Sequence, residues 1–252
     1  MTILHLSFYN TNPFLVYYVY IDPVKLMASK IVTYRMDNKN DLIPAFFCVP
    51  DLTGFTRFVA SADLTFAKEV IPALLRRLIG ANQLKMSVAE IEGDAIFFYK
   101  SGRLPSVKRV AEQCKLFYKT FLDFMDSLEK SDPDGHEKYV ADQLGLKVVI
   151  HYGQISSANI KGRTKLLGED VIITHKLLKN SIREDNYVLF TDKYLRKIRD
   201  PEKINSWFNG DKLTAGKEVY EYIGEVTYHY ISLESVRRNQ EEPELMIQRK
   251  IS

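Results

Sequence analysis

Asp51 follows the apolar run Ala45 to Val49 and opens the turn Asp51-Leu52-Thr53-Gly54-Phe55-Thr56. Asp94 lies in Glu90-Ile91-Glu92-Gly93-Asp94-Ala95, just ahead of Ile96-Phe97-Phe98-Tyr99. Each segment places an aspartate at the edge of a strand, where a backbone turn can hold it still. Two such edges side by side would bring the carboxylates together. Adjacent carboxylates repel unless one is protonated or a cation sits between them. The chemistry this pattern suggests is a divalent metal site, because hard cations need fixed oxygen ligands. The alternatives are that Asp51 caps the following helix and that Asp94 fills a turn.

The elements that would position these residues can be read from periodicity. Ala45 to Pro50 reads as a buried strand, and Thr56 to Ile79 carries apolar residues at helical spacing, among them Val70, Leu74, Leu75 and Leu78. Pro72 within that stretch implies a kink or a fresh helix start. Leu84 to Ile91 and Ala95 to Tyr99 read as strands joined by a hairpin turn at Gly93-Asp94. Val107, Val110, Ala111, Cys114, Phe117, Phe121, Phe124 and Leu128 form the core face of a second helix. After a turn-rich connection at Lys130 to His136, Leu146 to His151 reads as a strand. A turn at Gly153 leads into Gln154 to Ile160, the basic tip Lys161 to Lys165, and a third helix from near Gly168 to about Asn180. Val188 to Thr191 is a further strand, and Val219 to Ile231 reads as two strands bent at Gly224. Strand, helix, strand, strand, helix, strand is a ferredoxin-like βαββαβ core in an α+β domain, with extra strands at its C-terminal end.

Composition narrows the classes of function. The chain has 252 residues, enough for a sizeable core. With 35 basic and 32 acidic residues, the net charge of +3 gives no bulk argument for nucleic acid or membrane as a partner. Cys48 and Cys114 fall on apolar faces without metal-ligand spacing, as expected of reduced, buried cysteines in a cytoplasmic protein. The apolar run Phe14 to Ile21 is shorter than the roughly 20 residues a membrane helix needs. No basic segment precedes it and no small-residue cleavage site follows it, which disfavours a secretory signal. Residues 1–40 are therefore expected to be an extension, with translation starting at Met27 or Met36, and residues 236–252 a charged, mobile tail. No phosphate-binding Walker loop, GxSxG elbow or Cys-His dyad is present, and the lone His151 and His175 are assigned no chemistry.

In their order and spacing, the acidic turn Asp51 to Thr56, the Gly93-Asp94 pair, His151-Tyr152-Gly153 and Leu167-Gly168-Glu169-Asp170-Val171 resemble the motifs of a class III nucleotide (adenylate/guanylate) cyclase domain. The resemblance spans roughly residues 43 to 195 of a domain placed at 41–235. Glu90 to Ala95 and Val171 to Asn180 more closely resemble an uncharacterised bacterial family of cyclase-related domains. The cyclase resemblance implies two ions, Mg2+ or Mn2+, at Asp51 and Asp94 with Leu52 beside them, and a nucleoside triphosphate (GTP or ATP) as substrate. One ion would activate the ribose 3′-hydroxyl, and that oxygen would displace pyrophosphate from the α-phosphorus.

Gly54, Phe55 and Thr56 fall in the turn whose N–H groups would meet phosphate oxygens. Glu90 matches the purine-reading position, where a carboxylate resembles the guanine-selecting version, and Lys165 stands at its partner position, where the family has Asp, Thr or Cys. A Glu90–Lys165 ion pair is the alternative reading of those two residues. Lys176 occupies the place of the Arg that stabilises the transition state, and Ile172 that of the Asn that orients the ribose. Lysine keeps the charge without the bidentate fork, and isoleucine donates no hydrogen bond. Loss of one such donor costs about 10² to 10³ in rate. Three outcomes follow: a cyclase of weak activity, a catalytically silent domain that binds a ligand or dimerises, or a phosphate-ester hydrolase using the same metals. The family builds each site between two subunits, which implies a homodimer.

Overall fold

The computed structural model describes residues 42–131, 143–209 and 212–236. The expected N-terminal extension, most of the connection after Lys130 and the C-terminal tail lie outside the described residues.

The chain order is β1 (Ile43–Thr53), α1 (Phe55–Ser61), α2 (Leu64–Gly80), β2 (Ser87–Glu92), β3 (Ala95–Ser101), α3 (Val107–Ser131), β4 (Gly145–Ile160), β5 (Arg163–Leu167), α4 (Glu169–Leu177), β6 (Tyr187–Thr191), α5 (Asp192–Leu195), α6 (Lys203–Trp207), β7 (Thr214–Tyr220) and β8 (Gly224–Ser232). The sheet runs β2-β3-β1-β4-β6-β8-β7, with β5 paired to the outer part of β4. Within it, β2-β3-β1-β4 is the strand order of the expected βαββαβ core, all antiparallel.

β1 is apolar without alternation because both of its faces are covered. Phe46, Cys48 and Leu52 face the layer of α2 and α3, alongside Leu74, Leu78, Cys114, Phe117 and Phe121. Ala45, Phe47 and Val49 face the opposite layer, with Val171, Ile173 and Leu177 of α4. Each fully buried side chain of this size stabilises the fold by about 1.5–3 kcal/mol. Side chains alternate along a strand, so Asp51 belongs to the α4 layer. Cys48 and Cys114 are unbridged and buried, and burial, then the Cys114 thiol against it, pushes the Cys48 thiol up.

Three boundaries differ from the sequence reading. α2 runs through Pro72, and the fresh start lies earlier, where the Asp63 carboxylate accepts from the Thr65 N–H at 2.7 Å. β4 does not turn at Gly153: it continues for 16 residues, because β1 pairs with it as far as Ile155 and β5 from Ser156 onward. Tyr222, within the stretch Val219 to Ile231 expected to form two strands bent at Gly224, instead sits in the β7–β8 turn at φ 66°, almost fully exposed.

Candidate functional site

The layer between the sheet and α4 opens into a cleft of about 870 Å³. Its floor is built by strand pairing. Asp51 on β1 lies opposite Lys147 on β4, and the Lys147 ammonium stands 2.9 Å from Asp51 Oδ2, with both side chains nearly buried. Asp94 enters from the two-residue turn between β2 and β3, where Gly93 takes φ 61°. Burial, and then the Asp51 carboxylate against it, push the Asp94 carboxyl up to about 7, with Lys147 pulling the other way. The two aspartates are thus brought together, and a cation already touches one of them.

Asp51 does not cap the following helix: α1 begins at Phe55 behind Gly54, with no side-chain capping bond. Gly54 takes φ 73°, and a Cβ there would run into the Gln143 carbonyl. Leu52, Gly54, Phe55 and Thr56 all line the cleft, as does Lys176 from α4. The Lys176 ammonium lies over the Tyr220 ring, 5.4 Å from its centre, and the Tyr220 hydroxyl donates to the Lys176 carbonyl at 3.1 Å. α1 spans seven residues, so its amino end offers little accumulated dipole. Positive charge comes instead from side chains: Arg57, Lys147, Lys176, Lys179 and Arg183 all line the cleft.

Glu90 and Lys165 do not line it. They meet each other, Lys165 Nζ standing 2.5 Å from Glu90 Oε2, which is the ion pair held open as the alternative. A bulge between Val88 and Glu90 shifts the β2 register, so that Glu90 and Glu92 pair with Phe97 and Ala95 and face α4. There His175 bridges them, with Nε2 3.1 Å from Glu90 and Nδ1 3.1 Å from Glu92, and its ring stacks on Phe97 with centres 4.2 Å apart. Donor atoms of Glu90, Glu92 and His175 lie within 4.8 Å of one another, a spacing compatible with a metal ion.

α4 is pinned by a buried network. Asp170 accepts from His151 Nε2 at 2.9 Å, the Gln154 N–H at 2.7 Å and Lys193 Nζ at 2.6 Å, while His151 Nδ1 meets Thr191 Oγ1 at 2.8 Å. Burial pushes the Asp170 carboxyl up, but hydrogen bonds from His151, Lys193 and Gln154 prevail and hold it well below the usual carboxylate range. Burial lowers the His151 imidazole, with Asp170 opposing. Ile172, on the other side of the helix, is half exposed.

Sequence reasoning missed Lys147, Arg57, Lys179, Arg183 and the bridging role of His175. Lys147 carried a signal, as the one charge within Leu146 to Ile150. The His175 contacts arise between distant elements and have no local signature.

The arrangement of sheet and helices is that of nucleotide cyclase catalytic domains. A crystal structure of a guanylyl cyclase superposes with a TM-score of 0.56 at 12% identity, over 76% of this chain and 92% of that one. The catalytic core of a rhodopsin-guanylyl cyclase with converted specificity, solved with ATPαS, gives 0.50 at 10% identity, over 76% and 96%. At sequence level, residues 71–187 match the model of a family of proteins of unknown function, DUF2652. An uncharacterised protein of Mycobacterium tuberculosis is 30% identical over 150 residues, which cover 59% of this chain and 66% of that protein, just under two thirds of its length. Among the described residues, no helix is long and apolar enough to cross a membrane.

Proposed function

We propose that the cleft binds a nucleoside triphosphate, GTP or ATP, together with a divalent cation, Mg2+ or Mn2+, held by Asp51 and Asp94. The observation that carries this reading is that Asp51 and Asp94 meet in the cleft, where burial and then the Asp51 carboxylate raise Asp94 to about 7. Two hard oxygen donors in such a place fit a hard divalent ion. When bound, the ion supplies charge to phosphate oxygens. Arg57, Lys176, Lys179 and Arg183 line the same cleft and offer contacts for the remaining phosphate charge. Leu52, Gly54, Phe55 and Thr56 shape the wall beside Asp51 and bring backbone close to the ligand.

Turnover is weak or absent in this reading. Lys176 presents a point charge where a fork is needed, and Ile172 offers no hydrogen bond to a ribose. Glu90 has both oxygens engaged, by Lys165 and His175, so purine reading there would require those contacts to part. Proposed further are a homodimer, with Ile172 at the interface, a cytoplasmic location, and a domain at 41–235. Half-exposed Ile172 also supports a second reading, in which the fold serves dimerisation without catalysis.

Isothermal titration of the full chain with Mn2+ plus a non-hydrolysable GTP or ATP analogue tests the main reading. Binding that disappears in the double variant Asp51→Ala, Asp94→Ala is the expected result. No binding to the wild type would leave the dimerisation module standing.

A further inference from the structure

We infer that Lys147 is a built-in cation that stands in for one of two metal ions, so that each chain takes a single divalent ion. The inference rests on the proposed metal site at Asp51 and Asp94. Its geometric basis is independent of any metal: Lys147 and Asp51 are register partners on adjacent central strands, and their charged ends meet at 2.9 Å with side chains only 13% and 8% exposed. β1 and β4 pair over eleven consecutive positions, so the backbone beneath the pair is fixed. The contact is to Oδ2, one of the two oxygens through which Asp51 could bridge a pair of ions.

A cation so close to a ligand oxygen acts on a second ion in two ways. It takes up one acceptor site on Oδ2, and it repels the incoming charge in surroundings where screening is weak. The ammonium is covalently tethered, so it cannot be diluted away as a bound ion can. Lys147 therefore sets metal number and affinity: a positioning residue that holds Asp51, without acting on substrate itself.

The test counts Mn2+ ions bound by the full chain, from the free Mn2+ signal in electron paramagnetic resonance, with Mn2+ alone as the probe. Wild type, Lys147→Arg, Lys147→Met and Asp51→Asn are compared. The expected result is one ion for wild type and for Lys147→Arg. Lys147→Met, which keeps length and loses charge, is expected to take a second ion or to bind at least about ten-fold more tightly, and Asp51→Asn to lose binding. Two ions on wild type, or unchanged or weaker binding by a folded Lys147→Met, would overturn the inference while leaving the metal site intact. Absence of Mn2+ binding in every variant would overturn the metal site and the inference together. Circular dichroism of each variant identifies misfolding, and Lys147→Arg, which retains the charge, still discriminates: two ions on it would contradict the role assigned to charge at this position.

Discussion

Replacement of Gly153 by alanine should break the buried network that pins α4, and the magnitude can be worked from its contacts. A Cβ at this position would overlap Cγ and Oδ2 of Asp170, so the carboxylate would have to withdraw. Withdrawal removes the Gln154 N–H bond at 2.7 Å and the His151 bond at 2.9 Å, and loosens the Lys193 contact at 2.6 Å. A hydrogen bond to a charged group contributes about 1.5–3 kcal/mol, and breaking a buried charged pair costs about 3–5 kcal/mol. These are not additive, because all share one carboxylate, so about 3–5 kcal/mol is the expected loss. For a domain of this size that lowers Tm by about 6–20 °C. Thermal unfolding by circular dichroism at pH 7.5 reads it directly. In the double variant Gly153→Ala, Asp170→Ala the second change should add little, since the network is already broken. A fall in Tm below about 2 °C, or additive losses in the double variant, would refute the reasoning.

The aspartate pair makes stability depend on pH with a definite sign. The folded Asp94 carboxyl, at about 7, lies above the ordinary unfolded value of about 3.9, so its contribution is full below pH 4 and is lost as pH rises toward 7. Relative to wild type, Asp94→Asn is therefore expected to gain stability between pH 4 and pH 8, as measured by urea midpoints across that range; a constant difference would contradict the assignment. Glu90→Gln removes the partner of Lys165 and His175, both groups partly open to solvent, and is expected to change stability by less than about 1 kcal/mol. A loss of several kcal/mol in the same denaturation assay would mean that the cluster is a structural anchor.

The strand-helix order was legible because the periodicities are strong: the unbroken apolar run of β1, the 3.6-residue stripe of α3 and the Gly93-Asp94 turn each report locally on what they form. Asp51 and Asp94 stand out for the same reason, each lying where an apolar segment ends or begins. Lys147 opposite Asp51 was not legible, since register between strands nearly a hundred residues apart is set by tertiary packing. The bulge at Val88/Glu90 hid the facing of Glu90 and Glu92, because one extra residue reverses every side chain beyond it. Gly153 read as a turn former, whereas its lack of a side chain makes room for Asp170 in mid-strand. Glycine permits both, and only the neighbour across the layer decides.

β4 has one further consequence. Its first half is flanked by β1 on one side and β6 on the other, while its last five residues project with β5 alone as an arm. The same continuous backbone carries Lys147 near the base of the strand and faces Lys165 near the tip of the arm. Force applied to the arm is therefore carried along covalent bonds to the root of the cleft, without passing through a hinge. β4 is clasped on both sides only from Lys147 to Ile150, so anything that grips the tip of the arm pulls along the strand on the stretch that holds Lys147 against Asp51.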